Sequence, residues 1–154
     1  MKIRLAAKED ARLLSRLNVY VQSLHAKAYP DLFKKPDQDD FALSFFEMFL
    51  DNPDVHIFIA ENPQPAGYLV AREVHTEENP FMVARSYLYI DQISVEPEHQ
   101  GAGIGRALMA RAAQLAEEEG FSMISLDSWA FNQGAHTFFK TQGYEIYNVR
   151  MWKR

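Results

Sequence analysis

The stretch that decides the fold is SYLYIDQISVEPEHQGAGIGRALMARAAQLAEEE, residues 86–119. An apolar segment, a glycine-rich turn and an amphipathic segment follow one another there without interruption. Apolar residues occupy both alternating faces of the first segment, which ends at Val95. They are Tyr87, Tyr89, Ile93 and Val95 on one face, and Leu88 and Ile90 on the other. A strand with two apolar faces lies inside a sheet that is covered on both sides, so we predict a central strand here.

A turn with almost no side-chain bulk follows this strand. Pro97 stops the strand because proline has no N–H for a sheet ladder. The next residues, 100–105, lead into a helix whose apolar residues recur at three- and four-residue spacing, and Gly120 is placed to end that helix. The first N–H groups of a helix are unpaired and carry partial positive charge, so this turn is suited to a phosphate or pyrophosphate. A tight connection without a ligand is the alternative interpretation.

The spacing of the glycines excludes two common phosphate-binding motifs. A Walker loop requires Lys and then Ser or Thr after its second glycine, and neither is present. A dinucleotide-binding fingerprint requires a small residue where Arg106 or Leu108 stands, depending on the glycine from which it is counted. What remains is Gln-x-x-Gly-x-Gly, at Gln100, Gly103 and Gly105, after a strand that ends in Val-x-Pro.

In these residues the sequence resembles the GNAT superfamily of N-acetyltransferases, which bind acetyl-coenzyme A (acetyl-CoA) at such a strand, turn and helix. Further residues match the family's Asn…Ala…Phe-Tyr…Gly-Phe segment, namely Asn132, Ala135, Phe138, Phe139, Gly143 and Tyr144. The resemblance implies an α/β (α+β) fold. It has a mixed, mostly antiparallel central sheet, a parallel strand pair at the cofactor site and about four flanking helices.

Length and composition limit the number of domains and the kinds of function that the chain can have. The 154 residues suit a single domain, 1–154, and a content of 47% apolar and 13% aromatic residues predicts a packed core. Without cysteine, the chain has no disulfide, thiolate metal site or cysteine nucleophile. The net charge of −5 argues against nucleic acid as a partner and favours cationic acceptors such as amines.

No apolar run resembles a membrane span or a signal peptide, so we expect a cytoplasmic protein without a membrane partner. We assign no metal, because His56 and His75 lack a plausible set of ligand partners. Members of the resembling family often form dimers, so a homodimer is a further expectation.

Periodicity predicts the remaining elements. They are strands at Lys2–Ala6, Val55–Ala60, Gly67–Ala71 and Ser122–Asp127, and helices at Lys8–Ala28, Asp37–Leu50, Gly103–Glu119 and Asn132–Thr141. Asp37 or Asp39 is expected to cap the second helix, and residues 75–84 to form an exposed connection. Residues 144–153 alternate and are expected to return as an antiparallel strand beside Ser122–Asp127. The order strand, helix, strand at the turn implies a parallel pair with a right-handed crossover.

The resemblance implies transfer of an acetyl group from acetyl-CoA to a primary amine, on a small molecule or a peptide, by direct attack in a ternary complex. Backbone amides of Ile93 and Val95 would hold the pantetheine arm of the cofactor. The pyrophosphate would lie on the turn, formed by Gln100, Gly101, Ala102, Gly103, Ile104, Gly105 and Arg106. Asn132 and Phe139 complete the expected cofactor-binding set, although Asn132 alternatively only caps its helix.

An amine acceptor must lose a proton before it attacks. With a pKa of about 10.4, a lysine-like amine is neutral in roughly one molecule in two or three thousand at neutral pH, so a carboxylate base is useful. Asp91 is the first candidate, because polyamine-type members of the family carry a glutamate with that role there. The alternative interpretation is that Asp91 is a structural carboxylate paired with a nearby arginine. Glu96 is the second candidate. The alternative interpretation is that Glu96 is an ordinary solvated residue of the turn.

Phe139 departs from the family, which often has a tyrosine there whose hydroxyl protonates the leaving thiolate. Water or another hydroxyl such as that of Tyr144 would then serve. The departure also keeps open a catalytically weak acyl-CoA-binding protein of the same fold. In the family, the region between the first two helices helps to form the acceptor pocket. His25 and Tyr29, together with Asp91, are therefore candidate substrate-binding residues, and packing roles are the alternative for the first two.

Overall fold

The computed structural model describes residues 1–154 and contains five strands and four α-helices. The strands are β1 (Lys2–Leu5), β2 (Val55–Glu61), β3 (Pro65–Thr76), β4 (Arg85–Val95) and β5 (Ile124–Leu126). The helices are α1 (Ala11–Ala28), α2 (Leu43–Asp51), α3 (Ile104–Glu119) and α4 (Gln133–Thr141). None of the helices combines the length and the apolar character that a membrane span requires.

The five strands form one sheet in the order β1-β2-β3-β4-β5. The pairs from β1 to β4 are antiparallel, and β4 pairs with β5 in parallel. Parallel neighbours need a crossover between them, and α3 provides it. The predicted fold class is confirmed: a mostly antiparallel sheet with one parallel pair, flanked by four helices.

Two apolar cores cover the two faces of the sheet. Successive residues of β2 alternate between them, with Phe58 in one core and Ile57 and Ile59 in the other. The first core contains α3 and Phe139 of α4, and the second contains α1 and α2. Burying a large apolar side chain contributes about 1.5–3 kcal/mol, so these cores fix the sheet between its helices.

A β-bulge lies at Asp91, in the middle of β4. Val70 of β3 faces Gln92, whereas the next residue of β3, Ala71, faces Ile90. Asp91 is therefore an extra residue without a partner on β3. An extra residue in one strand bends that strand and increases its local twist.

The bulge reverses the alternation of side chains in the last part of β4. Beyond Asp91, Ile93 and Val95 pack against the same core as Leu88 and Ile90. The prediction that Ile93 and Val95 lie on the opposite face from Leu88 and Ile90 is wrong, because a one-residue shift moves every later side chain to the other face.

The second helix begins at Leu43, later than the predicted start at Asp37. Neither Asp37 nor Asp39 caps it, and the residue before it, Ala42, forms no side-chain cap. The Ser15 hydroxyl of α1 donates to the Asp39 carbonyl oxygen at 2.7 Å and accepts from the Ala42 N–H at 3.0 Å. This hydroxyl ties the segment to α1 in an irregular conformation, which is why the helix starts later.

The strands β3 and β4 are longer than predicted. β3 continues to Thr76 and β4 begins at Arg85, so only residues 77–84 connect them. His75, which was expected in the connection, lies in β3 with its Nδ1 2.8 Å from the Ser86 hydroxyl oxygen of β4. Polar cross-strand pairs of this kind extend the ladder beyond the apolar core.

Residues 144–154 form no strand, and β5 remains the edge of the sheet. The predicted antiparallel strand beside Ser122–Asp127 is therefore wrong. The alternation was misleading because it corresponds to no buried face: Ile146, Val149 and Met151 are 70%, 69% and 92% exposed. Side-chain contacts hold the segment, one of which joins the hydroxyl oxygens of Ser125 and Tyr147 at 3.0 Å.

Asp10 joins β1 to the start of α1. Its buried carboxylate accepts hydrogen bonds from the Arg4 guanidinium at 2.8 and 3.0 Å and from the Ala7 N–H at 2.7 Å. Arg4 also donates to Glu61 of β2 at 2.6 Å. The hydrogen bonds from Arg4 outweigh burial and lower the pKa of Asp10 below its ordinary value.

We expect Asp10→Asn to make the stability of the chain less dependent on pH. Because the pKa of Asp10 is lower in the folded state, its stabilising effect is complete above the unfolded-state pKa of about 3.9. The effect is lost as pH falls through the folded-state pKa. Denaturant unfolding between neutral pH and about pH 2 measures this. The free energy of unfolding will fall more steeply for the native chain, and parallel curves would contradict the assignment.

Candidate active site

A cleft of about 870 Å³ lies between the end of β4, the turn before α3, and helices α1 and α4. Every residue that the sequence predicted for cofactor binding lines it: Ile93, Val95, Gln100, Gly101, Ala102, Gly103, Ile104, Gly105, Arg106, Asn132 and Phe139. A smaller cleft of about 400 Å³ is lined by Arg12, Leu13, Arg16, Asp39 and Asp40. None of the predicted site residues lines this second cleft, so we place the candidate site in the larger one.

The larger cleft exists because β4 and β5 separate. Their pairing covers only Leu88–Ile90 on β4 and Ile124–Leu126 on β5. The bulge at Asp91 follows directly, and beyond it β4 stays paired with β3 while β5 ends. The last part of β4 therefore has one open edge.

Backbone N–H groups of β4 point into this opening. The Glu96 N–H donates to the Ala66 carbonyl oxygen of β3 at 2.8 Å. Because successive N–H groups of a strand point to opposite edges, those of Ile93 and Val95 point away from β3. Both residues line the cleft, so their N–H groups are available to a ligand there.

Two glycines give the turn before α3 a left-handed conformation. Gly101 has a φ of +81° and Gly103 a φ of +82°, values at which a Cβ clashes with the following carbonyl oxygen. The space above them is open: a Cβ on Gly101 would meet no atom within 4 Å, and one on Gly103 only Arg106 at 3.8 Å. Gly103 is the N-cap of α3 and offers no side chain as a cap, so the first N–H groups of α3 remain available to an anion.

Two further glycines allow neighbouring elements to approach closely. A Cβ on Gly105 would lie 3.2 Å from Cζ of Phe138, so this glycine lets α4 pack against the start of α3. A Cβ on Gly67 would lie 2.7 Å from the Ser94 carbonyl oxygen and 3.3 Å from Cα of Val95. Gly67 therefore lets β3 and β4 lie together directly beside the cleft.

Asn132 lines the cleft and also caps α4. Its Oδ1 accepts a hydrogen bond from the Ala135 N–H at 3.0 Å. The cap uses the amide oxygen, so the amide NH₂ group remains available to a ligand. The structure thus contains the helix cap predicted from the sequence. It also leaves the amide NH₂ group free for the predicted contact with the cofactor.

Asp91 does not line the cleft. Its Oδ1 accepts hydrogen bonds from Arg72 Nε at 3.1 Å and Nη2 at 2.9 Å. Arg72 also lies over the ring of Tyr89, 5.2 Å from its centroid. The pairing with an arginine that was the alternative interpretation of Asp91 is present in the structure.

Glu96 lies at the end of β4, next to Val95, and does not itself line the cleft. Partial burial raises the pKa of its carboxyl group above the ordinary value. Arg16 of α1 acts in the opposite direction, and the other charged groups near it are Glu98, His99 and Asp39. A raised pKa brings the carboxylate closer to the range in which a base accepts and releases a proton at neutral pH.

The remaining predicted residues, Tyr144, His25 and Tyr29, do not line the cleft. Tyr144 packs against the first core beside Phe139, and burial raises the pKa of its hydroxyl. His25 is one helical turn from Val21, which does line the cleft, and its Nδ1 lies 2.7 Å from the Val21 carbonyl oxygen. Burial lowers the pKa of His25, so the ring is mostly neutral at neutral pH.

Ser94 lines the cleft but was not identified from the sequence. The residue is 5% exposed, and its Oγ has no hydrogen-bond partner in the chain. Buried hydroxyl groups are nearly always hydrogen bonded, so the Ser94 hydroxyl remains available to a ligand or a water molecule. Tyr20 of α1 brings a second hydroxyl-bearing side chain to the same cleft. No group of His, Asp and Glu side chains has the geometry of a metal site.

The chain belongs to the acetyltransferase (GNAT) family, whose sequence model matches residues 18–144. An uncharacterised N-acetyltransferase of Methanocaldococcus jannaschii is 30% identical over 112 residues, which are 71% of this chain and 48% of that protein. N-acetyltransferase 8 of Mus musculus is 32% identical over 82 residues, 53% of this chain and 34% of that protein. The matches thus span half or less of the length of these relatives.

Solved structures share the whole fold. A tetramutant of the BH1408 protein from Bacillus halodurans superposes with a TM-score of 0.93 at 25% identity, over 100% of this chain and 99% of that one. The aminoglycoside N-acetyltransferase AAC(6')-Iy in complex with CoA gives 0.72 at 19% identity, over 99% and 93% of the two chains. A ribosomal-protein-alanine N-acetyltransferase from Brucella melitensis biovar Abortus gives 0.71 at 21%, over 99% and 98%. At these identities, the last two show the common fold alone.

Proposed function

We propose that this chain transfers the acetyl group of acetyl-CoA to a primary amine by direct attack in a ternary complex. The observation that carries the proposal is that two sets of backbone N–H groups, at the end of β4 and at the start of α3, border the same cleft. Membership of the acetyltransferase family supports it. So does the common fold with an aminoglycoside N-acetyltransferase in complex with CoA.

In this proposal the pyrophosphate of the cofactor lies on the turn 100–106. The N–H groups and partial positive charge at the start of α3 stabilise its negative charge. The N–H groups of Ile93 and Val95 bind the pantetheine arm, which follows the open edge of β4, and the Asn132 amide contacts the same arm. Bound acetyl-CoA supplies an activated thioester, and these residues hold it in place beside the acceptor.

We assign the base to Glu96 in preference to Asp91. The Asp91 carboxylate is held in an ion pair by two hydrogen bonds from Arg72. The Glu96 carboxyl has a raised pKa and follows Val95 at the cleft. Neither carboxylate lines the cleft, so the proton passes from the amine through water.

We assign stabilisation of the leaving thiolate to the Ser94 hydroxyl, which donates a hydrogen bond to the sulfur while water supplies the proton. Phe139 has no proton to transfer, and Tyr144 lies outside the cleft. The Ser94 Oγ is buried at the cleft without a partner, between the two residues whose amides hold the cofactor arm. Phe139 also supports a second candidate function, an acyl-CoA-binding protein with little transfer, which would bind the cofactor without releasing thiol.

Gly103→Ala and Gly120→Ala form a matched pair that tests cofactor binding. Both glycines flank α3, have left-handed φ values of +82° and +77°, and lie where a Cβ meets no close atom. Each replacement is expected to cost about 1–2 kcal/mol of stability. Only Gly103→Ala changes the turn at the cleft, so it alone will weaken CoA binding, by about 10- to 100-fold for one hydrogen bond to a charged group.

Isothermal titration with CoA and denaturant unfolding measure the two effects separately. Equal loss of CoA affinity in both variants would show that the effect comes from the helix rather than from the turn. A native chain that does not bind CoA would reject the proposed function.

Glu96→Gln is expected to lower kcat/KM by about 10²- to 10⁴-fold and to remove the acid limb of its pH profile. In the native chain that limb lies above the ordinary glutamate pKa of about 4.3, because the raised pKa keeps Glu96 protonated to higher pH. Thiol release from acetyl-CoA across a panel of primary amines provides the rate. If Asp91→Asn removes the limb and Glu96→Gln keeps it, Asp91 is the base.

Ser94→Ala is expected to lower kcat by about 10²-fold while the KM for acetyl-CoA stays unchanged, because the lost hydrogen bond is made to charge that develops in the transition state. The same variant will unfold at equal or higher free energy, because an unpartnered buried hydroxyl costs about 1–3 kcal/mol. Tyr144→Phe serves as the comparison, since it removes the other hydroxyl suggested for this role. A lower kcat in Tyr144→Phe with a normal kcat in Ser94→Ala would reverse the assignment.

A further inference from the structure

Six rings form an aromatic cluster beside the cleft and outside both apolar cores: His25, Tyr29, Phe33, Trp129, Phe131 and Trp152. The centroid of Tyr29 lies 5.4 Å from Trp129 and 5.3 Å from Trp152, and Phe33 lies 5.1 Å from Trp129. Trp129 and Trp152 are 37% and 54% exposed. The cluster is therefore an aromatic surface that a ligand can reach, rather than part of the interior.

The cluster already holds one organic cation, which belongs to the chain itself. The guanidinium carbon of Arg154 lies 4.1 Å from the centroid of Trp152 and 5.7 Å from that of Tyr29. The same group forms an ion pair with Asp31. A cation within about 6 Å of an aromatic centroid is attracted by the electron density of the ring face. The guanidinium of Arg154 thus lies against two aromatic rings and one carboxylate.

The aromatic cluster adjoins the wall of the cleft at two places. Val21 and Leu24 of α1 line the cleft, and His25 follows them. Phe131 of the cluster precedes Asn132, which also lines the cleft. The pKa of His25 is lowered by burial, so its ring is largely uncharged at neutral pH and does not repel a cation.

We propose that the aromatic cluster and Asp31 bind a cationic guanidinium or alkylammonium group of the acetyl acceptor, and that Arg154 occupies this site until the acceptor displaces it. The assignment to the acceptor rests on the proposed function, whereas the binding of a cation does not. Arg154 acts as an internal competitor, so its removal raises the apparent affinity for a cation without adding any contact.

Tryptophan fluorescence tests the site directly, because the chain has two tryptophans and both belong to the cluster. The probes are butylguanidinium and butylurea, which have the same shape and differ in charge, at constant ionic strength. Butylguanidinium is expected to change the fluorescence in a saturable manner, and butylurea is not. Equal binding of both probes would overturn the cation site.

Arg154→Ala is expected to tighten butylguanidinium binding about tenfold, as it would if Arg154 fills the site about nine-tenths of the time. Arg150→Ala is the matched control, because it removes the same charge from the same exposed segment, whereas the guanidinium over the rings of the cluster is that of Arg154. Tyr29→Ala in the Arg154→Ala background should abolish the tightening, and far-ultraviolet circular dichroism of this variant will establish that it is folded. No tightening in Arg154→Ala, or equal tightening in Arg150→Ala, would overturn the proposal.

Acetylation assays test the acceptor assignment separately. The substrates are 4-aminobutylguanidine and its uncharged counterpart 4-aminobutylurea, which carry the same primary amine. Arg154→Ala is expected to lower the KM for the guanidine and leave the KM for the urea unchanged. Equal KM values for the two amines would overturn the acceptor assignment. Failure of every amine to release thiol would reject the proposed function instead, while the fluorescence titration would still decide the cation site.

Discussion

The separation of β4 from β5 beyond Ile90 is the constraint on which the rest of the site depends. Paired strands satisfy the backbone groups on their facing edges for as long as the pairing lasts. Here the pairing stops after three residues of each strand, and the bulge at Asp91 turns the remainder of β4 away. The bulge opens the cleft, frees the edge of β4 and sends Ile93 and Val95 into the core beneath it. One extra residue thus determines both the shape of the site and the groups that face it.

The rest of the fold holds this opening in place. The two cores fix the sheet between α1 and α2 on one face and α3 and α4 on the other. Gly101 and Gly103 allow the turn that directs the start of α3 towards the opening. Gly105 lets α4 pack closely against the start of α3. Backbone N–H groups at the end of β4 and at the start of α3 border the cleft. Such groups are already oriented before a ligand arrives, so little ordering is needed on binding.

Local signals were enough to predict the centre of the fold. The glycine turn, the strand before it and α3 follow from the order of glycines and apolar residues within residues 86–119, and the cofactor-binding residues implied by the family resemblance all line one cleft. The bulge at Asp91 was not predictable, because it is defined by the register with β3. Ser94 was missed for the same reason, since its orientation depends on that bulge.

Other features depend on contacts between distant parts of the chain. The start of α2 is set by a hydroxyl of α1, at Ser15. The alternating pattern of residues 144–153 would be the same with or without a neighbouring strand to pair with. In the structure no strand pairs with this segment. The aromatic cluster joins α1, the loop after it, the segment before α4 and residues near 152. Only the folded chain brings these rings together.

Gly67 shows how the fold restricts a position that has no side chain and no reactive group. Any larger residue there would push its Cβ against the Ser94 carbonyl oxygen and drive β4 into the opening that the cofactor arm would fill. In a saturation mutagenesis screen scored by activity, Gly67 would therefore be as intolerant as a reactive residue. A measurement of folded protein beside activity is needed to tell such spacing positions from residues that take part in the chemistry.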